Sequence, residues 1–130
     1  MAESTKKTIL LAEDDHSMRR FIEITLQQAG YEVLAVEDGL EATRIALENH
    51  VDAVIADAIM PNMTGYDLCR MLRGNPEKSH IPLIILSGLD PVDPDKPAEP
   101  LADIFLTKGT NLKENLLSGL QELLYPAEAA

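Results

Sequence analysis

The chain has 130 residues, 45% hydrophobic, 25% charged and 4% aromatic, which fits one globular domain with an aliphatic core. A formal net charge of −11, from 22 acidic and 11 basic residues, argues against direct binding to nucleic acid or to an anionic membrane, whose phosphates carry the same sign. The lone Cys69 rules out an internal disulfide, and no apolar run reaches the ~18 residues of a membrane span, so a cytoplasmic location is expected.

Thr8–Ala12 is an unbroken apolar run, as in a strand buried on both faces. Its apolar part is too short for a signal sequence and runs straight into Glu13, Asp14 and Asp15. From Ser17 to Ala29, Phe21, Ile22, Thr25, Leu26 and Ala29 recur at helical spacing, with Gly30 as the stop signal. Tyr31–Val36 reads as a second strand. Asp38 and Glu41, three apart, open a second helix in the manner of a capping box, and that helix runs to about His50. Ala53–Ala56 is a third buried strand, ending at Asp57, and Met60–Gly65 is a loop. Thr64 and Asp67 form another capping pair for a third helix through Arg73.

Ile81–Leu86 is a fourth strand, with Pro82 at its entrance, where a missing N–H is tolerated. Asp103–Thr107 is a fifth. Asn111 and Glu114 are placed to cap a last helix, whose Leu112, Leu116, Leu117, Leu120, Leu123 and Leu124 form one stripe. Strands alternating with helices imply an α/β fold with a parallel sheet covered on both faces. One domain is expected over 1–130, with its core at about 8–125 and a frayed tail at 126–130. The initiating Met1 and the short tail suit a free protein rather than a fragment.

Residues 88–102 interrupt the alternation where a crossover helix belongs. Prolines recur there at 91, 94, 97 and 100. Each proline inside a helix costs ~3 kcal/mol, and a period of three matches polyproline II. At ~3.1 Å per residue the segment reaches ~45 Å, well beyond the ~17 Å length of a strand. The expected crossover is extended or irregular, with one helical turn at most.

Polar residues stand at the ends of the buried strands: Glu13 and Asp14 after the first, Asp57 after the third, Ser87 after the fourth and Lys108 after the fifth. Open α/β sheets bind ligands outside the carboxyl ends of the strands, at a switch in strand order. If the order is 2-1-3-4-5, the switch falls between strands one and three, and the carboxylates of residues 13, 14 and 57 share one crevice. Converging carboxylates raise a pKa or take a cation, and an all-oxygen, partly hydrated site suits Mg²⁺. Beside such an ion Asp57 is equipped to attack a phosphoryl group. Lys108 and the Ser87 hydroxyl are placed to hold the transferred oxygens.

The ordered motifs Ile-Leu-Leu-Ala-Glu13-Asp14-Asp, Ala-Asp57-Ala-Ile-Met-Pro…Gly, Leu-Ser87-Gly and Phe-Leu-Thr-Lys108 resemble the receiver domain of bacterial response regulators from Thr8 to Leu124. The resemblance implies a doubly wound, five-stranded parallel sheet of flavodoxin or CheY-like type in the order 2-1-3-4-5, here with the crossover helix before strand five largely lost. It implies a two-component or phosphorelay protein that accepts a phosphoryl group on Asp57 from a histidine kinase or phosphotransfer protein. Such a protein acts as a signalling module rather than an enzyme on other substrates. Glu13, Asp14, Asp57 and the carbonyl of Ile59 are implied Mg²⁺ ligands, with Asp15 left as a helix cap. Ser87 and Phe105 are the implied switch pair. Output is then expected through contact with a downstream protein.

Two departures from the pattern stand out. The family usually has proline after the lysine, whereas Gly109 here leaves Lys108 less firmly placed. The proline-rich crossover alters part of the usual output face.

Other readings weigh less. A receiver-like binding module that works without phosphorylation is favoured by those two departures and opposed by the complete acidic, hydroxyl and lysine set. A phosphatase with an aspartyl nucleophile needs a second acid two residues on, where Ile59 stands. A flavin carrier needs a glycine- and hydroxyl-rich loop where the carboxylates lie. Ser87 also suits a turn cap and Phe105 a packing role. His16, His50 and His80 lack metal-ligand spacing and are expected at the surface, with Cys69 in the core.

Overall fold

The computed structural model describes residues 6–88 and 102–125. Apart from Gly88 and Ala102, the proline-rich crossover lies outside the described residues, as does the tail. The elements in chain order are β1 (Thr8–Ala12), α1 (His16–Gln28), β2 (Glu32–Val36), α2 (Gly39–Glu48), β3 (Ala53–Asp57), α3 (Gly65–Arg73), β4 (Leu83–Ser87), β5 (Ile104–Thr107) and α4 (Leu112–Leu124). The strands form one parallel sheet in the order β2-β1-β3-β4-β5, matching the order expected from the resemblance.

The unbroken apolar strands serve two cores. Successive side chains of a strand point to opposite faces. Leu10, Ala12, Val54, Ala56, Leu83 and Ile85 therefore pack against Ala42 and Ala46 of α2 and Leu68, Cys69 and Leu72 of α3. Ile9, Leu11, Ala53, Ile55, Ile84 and Leu86 pack on the other face against Ile22 and Leu26 of α1 and Leu112, Leu116 and Leu120 of α4. Cys69 is thus a buried core residue, as expected. Each fully buried Leu or Ile contributes roughly 1.5–3 kcal/mol by leaving water.

Local signals set most boundaries. Asp15 caps α1 by accepting from the Met18 N–H at 2.7 Å. Thr64 and Asp67 make the full reciprocal box at the start of α3. Only half of the Asp38–Glu41 box forms: the Asp38 carboxylate accepts from the Glu41 N–H at 2.8 Å, while the Glu41 carboxylate pairs with Arg44. α2 closes at Glu48, and β4 begins only at Leu83, after the proline. The strand entrance is held by Arg73, which donates to the carbonyls of Ser79 and Ile81 and to the Asp103 carboxylate at 2.9 Å. The same Asp103 oxygen accepts from the Leu83 N–H at 2.8 Å, so one contact ties the starts of β4 and β5 together.

One expected cap is corrected. Asn111 precedes α4 but makes no side-chain cap bond. Its φ of −102° and ψ of 21° lie outside the extended region a capping residue needs. Nearby, the Leu112 N–H donates to the Gly109 carbonyl at 3.2 Å. Thr64→Ala is therefore expected to lower stability by ~1 kcal/mol in urea unfolding, and Asn111→Ala to leave the midpoint unchanged.

Candidate active site

The register of β1 and β3 places Ala12 beside Ala56. One residue further on each chain, at the carboxyl edge of the sheet, come Glu13 and Asp57. With Asp14 they bring three carboxylates together, each offering an oxygen within 4.8 Å of the others. The carboxylates of residues 13, 14 and 57 therefore meet at the ends of β1 and β3. Their exposures differ: Glu13 is fully buried, Asp57 is buried and Asp14 faces solvent.

Lys108 closes the far side. Its backbone N–H donates to the Ser87 carbonyl at 2.8 Å, continuing the β4–β5 ladder by one residue. That ladder contact places the Lys108 backbone beside the end of β4. Its ammonium donates to Asp57 Oδ2 at 2.8 Å and lies 2.8 Å from Glu13 Oε1. The second contact is ionic without hydrogen-bond geometry, so the buried Glu13 Oε1 lacks a directed donor.

The rest of Glu13 is tightly held. Its other carboxylate oxygen accepts from the Asp15 N–H at 3.0 Å, and its own N–H donates to the Val36 carbonyl at 3.1 Å. Its carbonyl accepts from Arg19 Nη1 at 3.0 Å. Burial pushes the Glu13 carboxyl up to about 7, and the neighbouring Asp57 carboxylate adds to the rise. Lys108 and the Asp15 N–H pull the other way without cancelling it. For Lys108, burial alone would lower the pKa, but the Asp57 and Glu13 carboxylates prevail and hold it above its ordinary value.

One ammonium against three carboxylates leaves the site short of positive charge. All the donors are oxygen, one carboxylate is open to water, and one buried oxygen has no directed donor. That set fits a hard, partly hydrated divalent cation such as Mg²⁺.

The remaining expected residues sit nearby in different ways. Ser87 ends β4, the strand beside β3, and lies opposite Thr107. Ile59 is 71% exposed, and its N–H points at Asp57 Oδ1 across a long 3.4 Å. Phe105 lies outside the acidic group: it is 42% exposed, with its ring 6.5 Å from that of Tyr66 on α3. His16, His50 and His80 are exposed and outside the acidic cluster. Exposed His16 shares a 3.1 Å contact with Arg19 Nη2.

Two contributors escaped the sequence reading. Arg19 has no role in that reading, yet it sits one turn past the Asp15 cap, a spacing that turns a long side chain back over the strand end. Gly65 opens α3 against the back of Asp57. A Cβ there would meet the Asp57 carbonyl oxygen at 2.4 Å. A glycine directly after a capping threonine was the available signal.

Comparison with known proteins agrees with this geometry. The response regulator receiver domain family matches residues 9–118. A probable transcriptional regulator, ycf27 of Cyanophora paradoxa, is 39% identical over 113 residues, covering 86% of this chain and 46% of its own length. The chain thus spans under half the length of the curated relatives of that name. Among solved structures, the signal receiver domain of a signal transduction histidine kinase from Syntrophus aciditrophicus superposes with a TM-score of 0.82 at 34% identity, covering 95% of this chain and 96% of that one. The receiver domain of sensor histidine kinase PA1611 from Pseudomonas aeruginosa PAO1, with a magnesium ion coordinated in its active site cleft, gives 0.77 at 26% identity over 92% and 98%. With the sheet order, the acidic cluster and the lysine in place, the chain belongs to the response regulator receiver domain family, the phosphorylation-accepting signalling module of two-component systems.

Proposed function

We propose that Asp57 accepts a phosphoryl group from a phosphohistidine on a histidine kinase or phosphotransfer protein. The observation that carries this reading is the convergence of Asp57, Glu13 and Lys108, with Lys108 Nζ 2.8 Å from both carboxylates. An Asp57 oxygen bonds to phosphorus as the phosphorus–nitrogen bond breaks, and the departing imidazole keeps the electron pair and takes a proton. Glu13, Asp14, Asp57 and the Ile59 carbonyl would hold Mg²⁺, which when bound offsets repulsion between nucleophile and phosphate.

Lys108 then exchanges its contact with Asp57 for the phosphoryl oxygens, and the Ser87 hydroxyl hydrogen-bonds one of them. Phosphorylation replaces the single negative charge of the Asp57 carboxylate with a phosphoryl group carrying about −1.5 to −2, beside these two residues, and biases the surrounding loops between two states. Phe105, exposed with its ring near that of Tyr66, is the aromatic we assign to report that change.

We read the chain as a receiver module in the cytoplasm whose signal leaves by contact with a downstream protein. The net charge of −11 supports a protein partner over a nucleic acid or a membrane. Among the described residues no helix is long and apolar enough to cross a membrane.

Incubation with Mg²⁺ and a small-molecule phosphodonor is expected to leave acid-stable, base-labile phosphate on the protein, and Asp57→Asn to abolish it. Labelling that persists in Asp57→Asn refutes the acceptor assignment, and none from any donor favours a phosphorylation-independent binding module.

The raised Glu13 carboxyl makes a second prediction. The folded, metal-free protein keeps a proton that the unfolded chain releases near 4.5, so folding binds protons in between. This contribution to stability is whole below about 4.5 and is lost as pH rises through about 7. Urea midpoints in chelator should therefore fall between about pH 5 and pH 8 in the parent protein, and the fall should flatten in Glu13→Gln. Mg²⁺ binding, which needs the ionised carboxylate, should strengthen over the same interval.

A further inference from the structure

We infer that Gly39 and Thr43 of α2, with Met63, form a latch that positions the loop after Asp57 and so tunes cation binding at the site. This rests on the Mg²⁺ reading of the acidic cluster. None of the three residues is a proposed ligand, and each would act through the loop.

The loop over residues 58–64 carries Ile59, whose N–H faces Asp57 and whose carbonyl is the proposed backbone ligand. At its base the loop is closed on itself: the Gly65 N–H donates to the Ala58 carbonyl at 3.0 Å, and Gly65 lies against the Asp57 backbone. At its crown, Asn62 takes a φ of 72°, a left-handed conformation that asparagine tolerates better than most residues, and the Met63 N–H donates to the Pro61 carbonyl at 2.8 Å.

The crown rests on the first turn of α2. A Cβ on Gly39 would lie 2.4 Å from the Met63 carbonyl oxygen and 2.6 Å from Met63 Cβ. Most of that contact is backbone against backbone, with no rotamer free to yield, so any larger residue must displace either the loop or the helix. Thr43, one turn along, reinforces the contact. Its hydroxyl lies 2.8 Å from the Gly39 carbonyl and 3.2 Å from Met63 Sδ, so its single proton serves both acceptors.

α2 is anchored independently of the site. Asp38 caps its start, and Ala42 and Ala46 are buried against the sheet. A fixed helix therefore sets how closely the crown approaches, and with it where residue 59 sits over Asp57. Displacing the crown by a few tenths of an ångström moves a proposed ligand while leaving every carboxylate in place. Groups that orient metal ligands without touching the ion commonly change affinity on the order of 10–100-fold.

The test is calorimetric titration of Mg²⁺ into the full chain, with unfolding temperatures taken with and without the ion. Gly39→Ala should weaken Mg²⁺ binding on the order of tenfold, although alanine at a helical position should otherwise help the helix. Thr43→Val, which removes only the hydroxyl, should weaken it about threefold, and Thr43→Ser should restore the parent value. Gly74→Ala, where a Cβ meets nothing closer than 3.4 Å, should bind as the parent does. A purely structural contact would lower the unfolding temperature equally with and without Mg²⁺ and leave the dissociation constant unchanged. Should Gly39→Ala fail to fold, the Thr43 pair decides. Parent-like Mg²⁺ binding by Thr43→Val, or by a folded Gly39→Ala, overturns the latch alone. A parent protein that binds no Mg²⁺ overturns the site reading with it.

Discussion

Three carboxylates share one lysine at the carboxyl edge of the sheet, and the surrounding structure is arranged around that imbalance. Lys108 touches two of the carboxylates and satisfies the hydrogen-bonding capacity of only one. Glu13 accommodates the shortage by holding its proton up to about 7. A site in this condition is poised to gain positive charge, either as protons or as a divalent cation. It is equally poised to give up its lysine to an incoming phosphoryl group. The same deficit that costs stability thus prepares Asp57 to receive a substrate.

The fold earns this arrangement through register. Parallel pairing sets Ala12 beside Ala56, so two alanines lie side by side directly before two carboxylates. Continuing the ladder past β5 by one residue places the lysine backbone. The supports converge from other elements: Arg19 from α1 grips the Glu13 carbonyl, and Gly65 lets α3 start directly behind Asp57. Each fixes backbone rather than a reacting atom, so the carboxylates stay free to exchange partners.

Much of this was legible in the sequence. Unbroken apolar runs announced strands covered on both faces, and polar residues at their ends announced the crevice. The strand order came from family resemblance, because hydrophobic periodicity says nothing about which strands are neighbours. The Thr64–Asp67 box was readable because both halves lie within four residues. Asn111 misled because residue type alone does not reveal its backbone angles. The Gly39–Met63 and Arg19–Glu13 contacts were hidden for different reasons. The first joins segments 24 residues apart through backbone atoms. The second uses a side chain whose direction depends on where α1 begins.

The central claim is that the acidic trio depends on a cation, which Lys108 supplies when no metal is bound. Urea unfolding of Lys108→Met at about pH 8, in chelator and then in saturating Mg²⁺, tests it most directly. The account predicts a clear loss of stability in chelator and recovery of much of that loss with Mg²⁺. An unfolding midpoint that matches the parent in chelator, or a loss that Mg²⁺ leaves untouched, would contradict it.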